Sequence, residues 1–210
     1  MSADPVHAGC GDRILDAALG VFCELGYGAS IDAVASRANV ARQTIYNHFG
    51  SKEALFGAAL EKAIAEFFST VKTADGDLRE RLIRFGLELR ARALSAESIK
   101  LQRVLIAEAP RFPELADGFF RHCFLGSYAQ MSTVFEKAIA EGHLRHDDPV
   151  EMARLFMDML VGPDRWRMLY GGPAPQAAGE KKHVTRVVDF FMRAYAVSTP
   201  SPKRAAGSDQ

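Results

Sequence analysis

The chain of 210 residues has little that would place it in a membrane, at a metal or in catalysis. No apolar run reaches the roughly 18 residues needed to span a bilayer. Residues 1–12, MSADPVHAGCGD, lack the apolar core of a signal peptide and read as a disordered arm. The three cysteines, Cys10, Cys23 and Cys123, show no metal-ligand spacing and cannot all pair, so a reducing cytoplasm is the expected setting. There is no Gly-rich phosphate loop, no nucleophile elbow and no convincing acid pair, so no cofactor is expected. No period-2 run flanks a hairpin turn, which argues against a sheet. No internal repeat is evident. The formal net charge is zero, which excludes a generic nucleic-acid coat.

What is present is concentrated in residues 30–55, SIDAVASRANVARQTIYNHFGSKEAL. Ile31, Val34, Ala35 and Ala38 follow the helical i, i+3, i+4, i+7 pattern and share one face. Ser30 stands where its hydroxyl can cap that helix, and Asp32 lies in the first turn, where the dipole favours an anion. Asn39 tolerates the left-handed backbone that a turn between crossed helices needs. In the next segment Ala41, Ile45 and Phe49 recur every fourth residue and are expected to face inward. Arg42, Gln43, Tyr46 and Asn47 then face outward, with Thr44 and His48 at the edges. Gly50 ends the segment, Ser51 caps a third helix and Glu53 sits in its first turn.

This is the pattern of a helix-turn-helix, whose second helix is held by its apolar side and reads DNA with its polar side. Arg42 can bond a guanine edge, and Gln43 and Asn47 an adenine edge. Thr44, Tyr46, His48 and Lys52 are suited to phosphates, which set register without carrying sequence information. Ser30 completes the set of DNA-facing candidates. Residues 1–50 are slightly acidic overall. Between Arg37 and Lys52, however, there are three basic residues and no acid. Affinity therefore has to come from a local basic surface, doubled by dimerisation.

Residues 13–60 resemble the DNA-binding domain of TetR-family transcriptional regulators. The run Arg13-Ile14-Leu15-Asp16-Ala17-Ala18 through Phe22 and Gly26-Tyr27 is similar to that family's first helix and its glycine exit. Ser30 to Ala38 is similar to the second. Thr44-Ile45-Tyr46-Asn47-His48-Phe49 followed by Ser51-Lys52-Glu53-Ala54-Leu55 is similar to its most diagnostic stretch. Asn39 and Ala41 depart from the Gly and Ser that the family often carries there. Ala41 removes a cap and a phosphate contact.

Beyond Leu55 the apolar spacing is helical throughout. Helices are expected over Ser51–Val71, ended by Ala74-Asp75-Gly76, and over 77–94, 96–109, 113–141, 149–170 and 180–197. Gly162-Pro163 should kink the penultimate one. About nine helices result, in an all-α chain. It divides into an arm (1–12), a helix-turn-helix domain (13–50), a larger helical domain (51–197) and a disordered tail (198–210). Lys203-Arg204 in that tail reads as a solvated pair or a DNA contact.

The larger domain also resembles the regulatory half of TetR-type proteins, through Arg103, Ile106-Ala107-Glu108-Ala109 and Arg111-Phe112-Pro113-Glu114-Leu115. That resemblance implies a small-molecule pocket and a homodimer built on the last two helices. Val184, Val187, Val188, Phe191 and Tyr195 offer an apolar stripe for the dimer, or for packing within one subunit. Candidate pocket residues are Phe85, Leu89, Phe120, Phe124, Tyr128, Met131, Phe156, Met157, Met159 and Trp166. They suit an apolar or aromatic effector, although core packing is the simpler reading of each taken singly. His143, His146, Asp147 and Asp148 fall in a polar connection and read as a solvated turn, so no metal is expected. The expected function is a regulator, more a repressor than an activator, that binds a palindromic double-stranded DNA operator and is released by an effector. A redox-sensing regulator and an all-helical small-molecule enzyme remain alternatives.

Overall fold

Helices carry the whole architecture of the computed structural model, which describes residues 5–73 and 76–197. In chain order these are α1 (Pro5–Leu25), α2 (Ile31–Ala38), α3 (Arg42–Phe49), α4 (Lys52–Thr73), α5 (Leu78–Ala93) and α6 (Ala96–Glu108). Next comes α7, in which Pro113–Phe119 and Gly126–Ala140 flank a π-helical turn, Phe120–Leu125. Two further helices, α8 (Pro149–Leu169) and α9 (Ala177–Tyr195), make nine among the described residues.

Local chemistry explains most of the boundaries. Asp77, Ser95 and Asp148 each accept a first-turn N–H through the side chain and so start α5, α6 and α8. Pro149 then occupies the first turn of α8, where its missing N–H costs nothing. The end of α9 is tied back by Arg145 N–H, which donates to Tyr195 O at 2.7 Å, and by a single antiparallel bridge between Leu144 and Ala196.

Two elements differ from expectation. Helix α1 begins at Pro5, so residues 5–12 are helical rather than an irregular arm. Residues 1–4, the tail 198–210 and part of the expected Ala74-Asp75-Gly76 break lie outside the described residues. The helix expected to run unbroken over 113–141 contains the π turn, whose widened ladder shifts the following side chains around the axis. Helix α8 continues through Pro163. Near that proline the Leu160 carbonyl accepts from Arg90 Nη1 and lies 3.1 Å from His183 Nε2.

Two large apolar cores result, beside a small one of Leu94, Ile99 and Met168. One joins Ile14, Phe22, Val34, Ile45, Leu55 and Phe56 to Leu101, Leu105 and Phe119. The other joins Phe68, Phe85, Met131, Phe135, Phe156 and Phe191. Fully burying one such phenyl group contributes about 1.5–3 kcal/mol. Helix α4 serves both cores, with Leu55, Phe56 and Leu60 in the first and Phe67 and Phe68 in the second. Residue 50 therefore ends the reader in sequence, but the packing runs on across it. Arg90, 2% exposed, holds α5 to α8 and α9 through Asp164 (2.7 Å) and both oxygens of Glu180 (2.7 and 2.8 Å).

Candidate nucleic-acid interface and ligand cavity

The reader is assembled from the caps that the residues dictate. Ser30 Oγ accepts from Ala33 N–H at 3.2 Å, and Ile31, Val34, Ala35 and Ala38 bury the inner face of α2. Asn39 takes φ +54°, the left-handed turn conformation, and Val40 N–H returns to Ala35 O. Helix α3 then projects from the surface, anchored by Ile45, which is 1% exposed. Phe49 is half-buried, but Ala41 is exposed and caps nothing through its side chain, contrary to the inward position expected of it. As the N-cap residue it keeps an extended backbone, which takes it out of the helical phase. Ser51 Oγ accepts from Ala54 N–H and starts α4.

Arg42, Gln43, Asn47 and His48 are exposed, with Thr44 and Tyr46 half-buried beside them. These side chains hold one another in order. Arg42 Nη1 donates to Asp32 Oδ2 at 3.2 Å, and Nη2 to Tyr46 OH at 3.4 Å. Gln43 Nε2 donates to Asn47 Oδ1 at 2.9 Å, and His48 Nδ1 lies 2.8 Å from Thr44 O. Exposed pairs of this kind contribute little to stability and are readily exchanged for DNA contacts. Ser30 Oγ spends an acceptor site on its cap and keeps its own hydroxyl proton to donate.

Lys52 is placed differently from a free phosphate arm. Its Nζ lies 4.3 Å from the Tyr27 ring centroid and 6.0 Å from that of Phe22. Burial pushes its pKa below the usual lysine value, opposed by neighbouring Glu53. Tyr27 OH in turn donates to Glu53 Oε1 at 2.9 Å, so the start of α4 is braced against the end of α1.

The ten candidate pocket residues separate into two groups. Phe85, Met131 and Phe156 are at most 1% exposed and belong to the second core. Met159 packs against that same core. The helical period marked them as apolar without saying what covers them. The other six border two concavities that share a wall. Leu89, Phe124, Tyr128 and Met157 line an inner cavity of about 110 Å³. Phe120, Phe124, Tyr128 and Trp166 line an outer groove of about 770 Å³ between α6, α7 and α8. Sequence reasoning missed the polar groups on the shared wall, Gln102, Asp158 and Arg165. The available signal was their spacing, since Asp158 and Arg165 lie seven apart on one face of α8, beside Trp166. Tyr128 OH donates to Asp158 Oδ1 at 2.8 Å, and burial first, then Asp158, pushes the phenol up to about 12. A larger concavity near Arg79, Lys137 and Glu141 has no aromatic wall.

A capped three-helix reader followed by an aromatic cavity matches known proteins over nearly the whole chain. Residues 14–59 match the tetR family of bacterial regulatory proteins, and residues 80–197 match the AefR-like transcriptional repressor, C-terminal domain. The chain belongs to the TetR family. Among its relatives is the HTH-type transcriptional regulator YdeS of Bacillus subtilis, 26% identical over 192 residues, which covers 91% of this chain and 90% of YdeS. A TetR-family regulator from Mesorhizobium loti shares the fold with a TM-score of 0.71 at 26% identity, covering 90% of this chain and 98% of the other. The flavonoid-responsive regulator FrrA has a TM-score of 0.66 at 25% identity, with 90% and 98% covered.

As a TetR-family protein the chain is a DNA-binding transcriptional regulator and not an enzyme. Among the described residues no helix is long and apolar enough to cross a membrane, and no cluster of His, Cys, Asp or Glu could hold a metal. Two of the three thiols, Cys23 and Cys123, are ill suited to redox sensing. Burial raises the pKa of Cys23, aided by Glu97 and Glu24, and burial pushes Cys123 up to about 11. Such thiols carry little of the reactive thiolate. The stripe expected to face a second subunit turns inward instead. Val184, Val187, Val188 and Phe191 are buried in the chain's own second core, and Tyr195 packs against it. Outside the groove, the outward apolar side chains of the last two helices are Leu155 and Phe190.

Proposed function

We propose that this TetR-family regulator is a cytoplasmic repressor that binds a palindromic operator as a homodimer and leaves it when a small aromatic effector enters the cavity. The observation that carries the DNA reading is the composition of α3. Its inner side is anchored by buried Ile45, and its outer side offers Arg42, Gln43 and Asn47 with no acid on the helix. Arg42 reads a guanine, and Gln43 with Asn47 reads an adenine. Ser30, Thr44, Tyr46, His48 and Lys52 set register on phosphates. The similarity of residues 80–197 to a repressor's C-terminal domain favours repression.

A two-fold dimer fits its half-sites only when the two recognition helices stand about 34–36 Å apart, or a multiple of that. Helix α4 runs from the reader into the effector domain. An effector that tilts it changes that spacing and weakens binding, a coupling that must act equally in both directions. The aromatic walls and the responsiveness of FrrA to flavonoids support an aromatic effector. The dimer is formed by the faces of α8 and α9 that carry Leu155 and Phe190, apart from the groove. Selecting bound sequences from a random duplex library at near-physiological salt tests the reading. Enrichment of an inverted repeat is the expected result, and no enrichment by the folded protein would refute it.

A further inference from the structure

Three charged side chains line the outer groove, and they differ in how they are satisfied. Arg154 Nε donates to Glu151 at 2.8 Å. Asp158 accepts from Tyr128 through Oδ1, and its Oδ2 lies 3.9 Å from Arg154. The guanidinium of Arg165 has neither a hydrogen bond nor a carboxylate partner among the described residues. It is half-buried and lies against two aromatic rings, with its central carbon 4.7 Å from the Phe124 centroid and 5.8 Å from that of Trp166. Stacking of this kind uses the face of the guanidinium and leaves the N–H groups at its edge to donate.

We propose that the groove takes an aromatic carboxylate, with the acid on the edge of Arg165 and the ring against Phe124 and Trp166. The inference rests on the effector-released regulator proposed above and names the chemistry of its ligand. A guanidinium presents paired donors that match the two oxygens of a carboxylate, and such a charge-assisted pair is stronger than a neutral hydrogen bond. The groove volume of about 770 Å³ is ordinary for a small-molecule site. The charge of Arg165 is felt across the shared wall, where it opposes the burial that raises Cys123 and Tyr128. Asp158 would repel an anion placed beside it. Its bond to Tyr128 and the proximity of Arg154 offset that charge, and the acid is held at the Arg165 end.

Trp166 is the only tryptophan of the chain and 54% exposed in the groove, so its fluorescence reports occupancy directly. The full-length protein is titrated with trans-cinnamate, with cinnamamide as its uncharged counterpart and with cyclohexanecarboxylate as a non-aromatic acid. The operator complex is followed in parallel. Cinnamate is expected to quench Trp166 with a Kd about ten-fold or more below that of the amide, and cyclohexanecarboxylate to bind more weakly. Arg165→Gln is expected to erase the preference for the acid. Arg165→Lys keeps the charge without the fork, restores part of that preference, and serves if the glutamine variant loses its helical content. Equal binding of acid and amide, an acid preference that survives Arg165→Gln, or no quenching by either compound overturns the proposal. If the amide binds better and releases the operator, the anion site is refuted and the effector-released regulator stands. If cinnamate binds through Arg165 without releasing the operator, the site stands and effector-driven release falls.

Discussion

His122 occupies the space that a side chain at Gly57 would need. A Cβ built on Gly57 would lie 2.8 Å from His122 Nε2, while His122 Nδ1 stands 2.7 Å from Glu61 Oε1. The π turn of α7 thus sends His122 into α4, and the same turn sends Phe120 and Phe124 to the groove. In an ordinary helix interior Gly→Ala is stabilising by about 1 kcal/mol. Here Gly57→Ala should instead cost about 1–2 kcal/mol by overpacking. Adding His122→Ala should recover most of it, and urea unfolding of the two single variants and the double variant measures the coupling.

Arg42→Ala and Gln43→Ala should each relax base preference at one position of the half-site by about ten-fold or more. Tyr46→Phe should leave that preference weakened but present, because it removes only the hydroxyl that accepts from Arg42. Lys52→Met keeps a stem that can pack on Tyr27. It should lower affinity on all sequences alike and reduce the salt slope by about 0.9. Titrations at several salt concentrations separate these classes, and variants that all bind like the parent would show that α3 is not the reading helix.

Arg90→Met removes a buried cation and leaves Asp164 and Glu180 facing an apolar stem. Breaking such a group from one side costs about 3 kcal/mol or more. The urea midpoint should fall with its slope unchanged, since the same surface is exposed on unfolding.

Alkaline pH should weaken the fold through Cys123. Its ordinary value of 9.0 is raised by burial to about 11 in the folded chain. The sign follows from proton counting. Below 9.0 both states keep the proton and the contribution is complete. Between the two values the unfolded chain binds fewer protons, so stability falls as pH rises through the folded value. Cys123→Ala should flatten that part of the curve, and unfolding curves taken from pH 8 to 11 would show it. An unchanged slope would mean that the thiol does not titrate differently in the two states.

The reader was legible because its signals are local. Ser30, Asn39, Gly50 and Ser51 act on backbone groups within a few residues, and the apolar period of α2 needs only one buried face. The groove was half legible. Phe124, Tyr128 and Trp166 stood out as aromatic, but Phe85, Met131 and Phe156 looked the same in sequence and proved to be core. The inward turn of Val184 and Val188 was hidden for the same reason, since a period states that a face is apolar and not which surface covers it.

By itself the sequence determined an all-α chain, a capped helix-turn-helix and membership of one family of regulators. The first two rest on propensity, spacing and capping within one or two turns, and the third on the resemblance of residues 13–60 to known regulators. Tertiary structure alone decided which apolar faces meet one another. It buried Arg90 between three helices, opened a π turn toward α4 and left Arg165 stacked on rings with no counter-charge among the described residues. Those outcomes depend on contacts between residues far apart in the chain, where close packing rather than local preference selects the arrangement.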